Sequence, residues 1–416
     1  INHDYNKELN RVIEPIVEWN KDMDFDVVPY TDVQQAKDDY EADLQKYDGI
    51  LLLLMTCWKK IDDFYCRQAG EGIPVIVADI PFCGSGSILC SASPMIKKEN
   101  LPVPLISSLN YKDIADAVKL FDVIRKMKDT KILVVSNRVN QSGQDSFSQV
   151  WGCEFVNRTA ADLHTCFQSV AEDEARKVAE KWISEAAGVA EPNEEEIIES
   201  AKLYLGIREL KEKVGADAVT IDCLTLSYGN QYTNKSHMYP CLSHYEMTKN
   251  GEVAVCEADI NATVTSLITL YLTGRPGYVS DPVIDTSSDQ IIYAHCVACT
   301  KVYGTDDPRC CKYYIRSHAE DKLGASVQVI FPAGEKLTTT MVYSANHSAA
   351  VHSSVSVGNV GGDEACRSKL AATANTEKLL YNWAPGWHRV TVFGDYRKQF
   401  MNLFRMKGLD VCEEDK

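Results

Sequence analysis

Val253-Ala-Val-Cys-Glu-Ala-Asp-Ile260 is followed by an apolar-periodic run to Thr273, by Gly274-Arg-Pro276, by Tyr278-Val-Ser-Asp-Pro282 and by Ile291-Ile-Tyr-Ala-His295. Val253 to Cys256 reads as a short buried strand. Ile260, Val264, Leu267, Ile268 and Tyr271 mark one face of a helix, and Gly274 and Pro276 stop it. A second strand then starts at Gly277. Strand, helix, strand is the order of a parallel crossover. In that unit Glu257 and Asp281 each sit just past the end of a strand, and neighbouring strands lie roughly 5 Å apart. Open α/β sheets place ligands at that edge. His295 ends the next apolar run. Two carboxylates and an imidazole converging would suit a hard cation such as Mn²⁺ or Mg²⁺. The competing reading makes the carboxylates caps of helices or turns and His295 a satisfied core histidine.

Working outward, 416 residues suggest two or three domains. The formal net charge of −16 disfavours a nucleic-acid partner, which needs a basic face. The 15 cysteines are odd in number and scattered, several of them in apolar runs (Cys57, Cys223, Cys256). That pattern predicts buried free thiols in a reducing cytoplasm rather than a disulfide scaffold. Cys296, Cys299, Cys310 and Cys311 offer a zinc alternative, although their spacing lacks two regular ligand pairs. No apolar run is long enough for a membrane span. The chain opens without Met on polar Asn2-His3-Asp4, so a short leading segment, such as a first strand, is expected before it.

The expected domains are an N-terminal α/β domain over 1–128, a central α/β domain over 129–278 and a β-rich C-terminal domain over 279–416. In the first, Leu9, Val12, Ile13, Ile16 and Val17 mark a helix and Phe25–Pro29 a strand. A helix follows over Ala36–Tyr47, then fully buried strands over Gly49–Met55 and Ile73–Ala78, and a closing helix near Asp113–Met127. Thr56-Cys-Trp-Lys59 and Pro81–Gly86 follow strands, and the second reads as a plain turn. In the central domain Lys131–Ser136 is a strand and two helices follow. Pro192-Asn193 and Gly215 bracket the second of them. Ala216–Ile221 is a strand ending at Asp222. Tyr228–Met247 reads as a long loop carrying His237 and His244, both expected at the surface. The C-terminal domain reads as mainly antiparallel and barrel-like, its strands falling in Val327–Val342 around a Pro-Ala-Gly-Glu turn, in Ser353–Val357 and in Trp387–Val392. Arg397–Met406 is a late helix.

These pieces together resemble the L-fucose and L-arabinose isomerase superfamily along nearly the whole chain. Cys256-Glu-Ala-Asp-Ile-Asn-Ala262 is similar to the family's Glu-x-Asp segment, which opens a helix. Ser280-Asp281-Pro282 resembles its second metal-binding carboxylate segment, and Gly386-Trp387-His388 its late metal-binding histidine. His295 is similar to a further histidine of the arabinose branch. Leu54–Lys59 resembles a strand-end loop that reaches a neighbouring subunit's site. The chain is shorter than either enzyme, and an Asp at 281 with a His at 295 mixes the two branches.

The resemblance implies a cytoplasmic, metal-dependent aldose–ketose isomerase working through a cis-enediol. It implies Glu257, Asp281 and His388 as metal ligands, with His295 either a fourth ligand or a substrate contact. Glu257 and Asp281 would also serve as acid and base. Trp58, Lys59, His295 and Trp387 are the expected substrate contacts. The expected cofactor is Mn²⁺, with Mg²⁺, Co²⁺ or Fe²⁺ as substitutes. The substrate would be a pentose, hexose, deoxyhexose or modified sugar, sulfonated ones included, for which Arg275 and Arg316 are candidate anion contacts. A homo-oligomer (trimer, tetramer or hexamer) with shared sites is expected. The alternatives are a non-catalytic sugar-binding protein and an epimerase on the same scaffold.

Overall fold

In the computed structural model Val75–Asp79 is buried along its whole length. It takes a parallel neighbour on each side, the arrangement that lets a strand be apolar on both faces. The structure describes residues 5–43, 46–55, 60–82, 86–235, 237–362 and 364–416. The chain divides into two compact units, Ile1–Arg125 with Lys398–Asp410, and Lys126–Arg397 with Val411–Lys416.

The first unit runs α1 (Tyr5–Glu18), α2 (Val33–Asp43), β1 (Ile50–Leu54), α3 (Ile61–Gly70), β2 (Val75–Asp79), α4 (Ser93–Glu99), β3 (Leu105–Ser107) and α5 (Tyr111–Asp129), which continues into the second unit. Its sheet is parallel, in the order β1-β2-β3. Two expectations fail here. Phe25–Pro29 forms no strand, and Val27 and Val28 are exposed. Of β1 only Leu54 is buried, because β1 is an edge strand. Thr56–Lys59, including the substrate candidates Trp58 and Lys59, and Cys83–Ser85 of the expected turn lie outside the described residues.

The second unit opens with β4 (Lys131–Val135), α6 (Gln141–Trp151), β5 (Glu154–Arg158), α7 (Ala160–Ser169), α8 (Glu172–Glu185), β6 (Gly188–Val189), α9 (Glu194–Val214) and β7 (Ala218–Ile221). It continues with α10 (Cys223–Tyr228), α11 (Cys241–Lys249), β8 (Val253–Cys256) and α12 (Ile260–Thr273). Four helices therefore stand where two were expected. The bounds of α9 match the expectation. Asn193 and Glu196 form a reciprocal capping box at its start, and Gly215, at φ +63°, ends it. The strands pair in parallel in the order β5-β4-β7-β8.

After α12 come β9 (Tyr278–Asp285), β10 (Gln290–His295), β11 (Tyr313–Arg316), β12 (Ser326–Val329), β13 (Lys336–Tyr343), β14 (Ser348–Asn359) and β15 (Ser368–Thr373). α13 (Thr376–Asn382), β16 (Arg389–Phe393), α14 (Arg397–Met406) and β17 (Asp410–Glu413) complete the chain. Six strands close a ring in the order β13-β16-β9-β10-β15-β14, and the β13–β14 pairing shuts it. Every pairing in the ring is antiparallel. The fold class is therefore α/β with parallel sheets and a closed C-terminal antiparallel β-barrel. One core runs from Leu133 and Val219 of the parallel sheet to Tyr278, Leu337 and Leu370 of the barrel. The step at 278/279 falls where the chain leaves the parallel sheet region for the barrel, inside the second unit.

Three further expectations are corrected. The stretch β8-α12-β9 is not a crossover within one sheet, because β8 pairs with β7 while β9 pairs with β10 and β16. A four-residue turn joins β9 to β10, and closing a loop that short costs little entropy. The two strands around Pro332–Glu335 form no hairpin, since β12 joins β11 in another sheet. Finally, the segment read as a loop to Met247 becomes helix α11 at Cys241, and His244 is fully buried in it. A helix covered on every side carries no amphipathic period to detect. Among the described residues no helix is long and apolar enough to cross a membrane.

Candidate metal centre

The chain turns sharply after β8. Glu257 (φ +65°) and Ala258 (φ +51°) are both left-handed without being glycine, a conformation that costs about 1–2 kcal/mol per residue. The Ala258 amide donates to the Ile221 carbonyl at 2.9 Å, tying the turn to the neighbouring strand β7. Asp259 then caps α12, one carboxylate oxygen accepting the Ala262 N–H at 3.0 Å. The strain aims the Glu257 carboxylate off the end of the sheet while Asp259 starts the helix.

Antiparallel register brings the remaining groups in. Ser280 pairs with Arg389, so the next residues along, Asp281 and His388, come together at the mouth of the barrel. Asp281 lies inside β9, opposite Ala294, and not past a strand end as the sequence suggested. His295 closes β10 as expected. His388 Nε2 stands 3.3 Å from the Asp281 carboxylate and 3.7 Å from that of Glu257. Its Nδ1 is 2.7 Å from Asp259 Oδ2. His388 is 3% exposed, and Nε2 has no hydrogen-bond partner among the described residues. Ligand atoms of Glu257, His295 and His388 all lie within 4.8 Å of one another, the one such group among the described residues. Asp281 is outside that trio but borders it through His388.

The hydrogen bonds assign the two imidazoles different states. A carboxylate on Nδ1 of His388 holds the proton there and leaves the Nε2 lone pair facing the site, the arrangement found behind metal-ligating histidines. His295 is the reverse: its Nδ1 accepts the Val297 N–H at 3.3 Å. In the neutral ring the proton then sits on Nε2, which makes that atom a donor.

Burial pushes the Glu257 carboxyl up, and Asp281, Asp259 and Glu320 add to the rise against the pull of His388. Burial likewise raises Asp281 against His388, with Cys296, Asp259 and Glu320 adding to it. Burial also acts on Asp259, yet its bond to His388 wins and holds it below the usual carboxylate range. His388 is raised despite burial, because Asp259, Asp281 and Glu257 surround it. Burial and the neighbouring His388 take His295 down to about 4. The carboxylates thus favour a positive charge at one point, on the imidazolium or on a bound cation.

A comparison of the chain with family models and with curated proteins finds no match.

The remaining sequence candidates divide clearly. Trp387, beside His388, is 81% exposed and offers an open indole face. Arg316 is spent on Glu191, and Arg275 donates to the Phe393 carbonyl between the rings of Tyr303 and Tyr396. His237 pairs with Asp321 at 2.6 Å. His244 is buried with Nδ1 3.3 Å from the Cys256 sulfur, and burial takes it down to about 3. Cys296, Cys299, Cys310 and Cys311 form no metal-type group among the described residues. Sequence reasoning assigned no role to Asp259 or Glu320. Asp259 has the pattern of an ordinary helix cap, and nothing local links it to a residue in the barrel. Tyr228 donates to Glu320 at 2.7 Å, an acid that the sequence leaves among many surface acids.

Proposed function

We propose that this chain is a metal-dependent aldose–ketose isomerase of the L-fucose/L-arabinose isomerase type, with its chemistry at Glu257, Asp281 and His388. One observation carries the reading: a buried imidazole nitrogen, without a hydrogen-bond partner among the described residues, faces two carboxylates at 3.3 and 3.7 Å whose carboxyl groups are pushed above their usual range. That donor set of two oxygens and one nitrogen fits Mn²⁺ best, with Mg²⁺, Co²⁺ or Fe²⁺ as substitutes. A cation held there would polarise a sugar carbonyl and stabilise the enediolate charge. His388 presents Nε2 to it, oriented by Asp259. Carboxyl groups raised toward neutrality are suited to take a proton from one sugar carbon and return it to the next, which assigns Glu257 and Asp281 as acid and base. His295 Nε2 donates to a substrate oxygen. Trp387 offers an apolar face to the sugar chain.

The free thiols among the described residues suit a reducing compartment, and we assign the protein to the cytoplasm. We also infer a homo-oligomer, the arrangement in which a neighbour's strand-end loop completes the site. The test is chelator treatment followed by aldose–ketose exchange assays over neutral, phosphorylated and sulfonated sugars, with and without Mn²⁺. Manganese-restored exchange supports the reading. Glu257→Gln should then lower turnover by about 10²–10⁴-fold with little loss of stability, and near-normal turnover would remove Glu257 from the chemistry. Inversion at a carbon without carbonyl migration would mark an epimerase. Binding of a sugar without turnover would mark a non-catalytic protein.

A further inference from the structure

Near the metal candidates stands a second group of side chains, built from the helix after β7 and the turn after β11. β7 ends at Ile221, whose carbonyl accepts the Ala258 N–H of the Glu257 turn. α10 starts two residues on, so it leaves the strand that neighbours the one carrying Glu257, and Tyr228 is its last residue. The second segment approaches by way of His295. Cys296 follows His295 and packs in one small cluster with Tyr239, Ala319 and Leu224 of α10. Glu320 is the residue after Ala319. The two segments meet where the Tyr228 hydroxyl donates to Glu320 Oε2 at 2.7 Å.

A rigid frame holds this pair. One oxygen of Asp321 accepts from the Tyr239 hydroxyl and stands 2.6 Å from His237 Nδ1, and the other accepts the Leu323 N–H at 3.1 Å. The His318 N–H donates to the Leu323 carbonyl at 2.9 Å and the Lys322 N–H to the His318 carbonyl at 3.1 Å, which closes the turn. The His318 ring stacks on Tyr239 at 3.9 Å. The Tyr228 ring meets His237 and Tyr239 edge-on, at 5.4 and 6.2 Å. His237 (φ +60°) and Lys322 (φ +63°) are left-handed without being glycine, a strain that folds keep where a fixed geometry is used.

The frame is buried but the pair is open. Tyr228 is 46% exposed and Glu320 is exposed. One Glu320 oxygen takes the Tyr228 hydroxyl, and the other is left to a donor from outside. The Glu320 charge also reaches the metal candidates, adding to the rise of both Glu257 and Asp281. An ionised carboxylate only accepts hydrogen bonds, and a phenol joins an apolar face to a polar tip. Together they match an uncharged, hydroxylated chain, whereas an anionic group would meet two like charges, at Glu320 and Asp321. We propose that Glu320 and Tyr228 bind the sugar's hydroxyls beyond its two reacting carbons. The open Glu320 oxygen accepts from those hydroxyls, and the Tyr228 ring covers the C–H side of the chain. The inference rests on the sugar reading above, in which Glu257, Asp281 and His388 serve the reacting end.

The test separates a contact with the far end of the sugar from a part of the fold. Exchange by the full-length protein with Mn²⁺ is measured on the D- and L-aldopentoses, on L-fucose and on DL-glyceraldehyde, which has almost no chain beyond the reacting carbons. Glu320→Gln keeps the shape and an oxygen for Tyr228 but removes the charge. Its kcat/KM for the longer sugar should fall about 10–100-fold more than for glyceraldehyde, the worth of a hydrogen bond to a charged group. Tyr228→Phe should move the same ratio in the same direction. Equal losses on long and short substrates, or no loss on either, would overturn the inference, since a general loosening of the fold does not discriminate by chain length. Should the wild type exchange none of these sugars, the isomerase reading fails by itself. In that case, and where glyceraldehyde alone is left unchanged, calorimetric titration with the aldopentoses and L-fucose decides. Weaker binding of a sugar by Glu320→Gln than by wild type sustains the contact; equal affinity, or no binding of any of them by wild type, refutes it.

Discussion

Asp259 divides its two oxygens between a helix and an imidazole. One accepts the Ala262 N–H and the other holds His388 Nδ1. Asp259→Asn keeps the shape and the cap but removes the charge that fixes the His388 tautomer. Losing a carboxylate behind a ligating histidine typically weakens metal binding about 10–100-fold. A Mn²⁺ titration of that variant should show such a loss with the melting temperature nearly unchanged. Affinity equal to wild type would mean that Nε2 of His388 is not a ligand. His388→Ala is the harsher companion, and full Mn²⁺ content in it would contradict the same assignment. At this scale the sequence pointed to Glu257, Asp281, His295 and His388, and the structure brings all four together at one barrel mouth. It did not reveal that the two histidines face the site in different states, because a tautomer is set by a partner's position and not by residue type.

The turn after β8 and the packing of α9 make the case at the level of elements. Glu257 and Ala258 hold left-handed angles that side chains disfavour. Ala258→Gly should relieve about 1–2 kcal/mol of that strain, raising the urea midpoint. It should also weaken Mn²⁺ binding, since a freer turn no longer fixes the Glu257 carboxylate. A stabilised variant with undiminished affinity would show that the strain has no part in the site. In α9, Gly206 lies against the backbone of α7, where an added Cβ would meet Phe167 Cα at 2.9 Å. Backbone cannot step aside as a side-chain tip can, so Gly206→Ala should cost about 1–3 kcal/mol by overpacking, read as a lower urea midpoint. Capping signals and a terminal glycine made the bounds of α9 readable in advance, and α14 spans the expected Arg397–Met406. α11 was missed because its buried faces erase the amphipathic pattern.

Across the whole second unit, the C-terminus locks the barrel. Glu414 is fully buried, bonded to the Arg389 guanidinium at 2.7 Å and to His352 Nδ1 at 2.7 Å. Arg389 also donates to the Ala384 and His388 carbonyls, so the same side chain braces the strand that follows His388. Burial works against the Glu414 charge, but His352 and Arg389 outweigh it and hold the carboxyl below its usual range. Its contribution is therefore complete above the unfolded carboxylate pKa of about 4.3. It is lost as pH falls through the lower folded value. Thermal melts from pH 7 down to 3 should show this slope in wild type and a flatter one in Glu414→Gln. Glu414→Ala leaves Arg389 buried without its carboxylate and should cost about 3–5 kcal/mol; a cost under about 1 kcal/mol would mean that the tail does not hold the barrel.

The sequence alone determined the alternation of short apolar runs with helices, the late β-rich region and the residue types of the site. Burial period, caps and turn residues are local, and a linear chain carries them in full. Which strands share a sheet was decided only in three dimensions. Val253–Cys256 and Tyr278–Asp285 suggested a single crossover, yet one completes a parallel sheet and the other enters a barrel. The choice rests on which distant strands close the ring, and no local pattern encodes that. The same long-range register brought His388 against Asp281. Such meetings arise from how antiparallel strands count against each other and cannot be read along the chain.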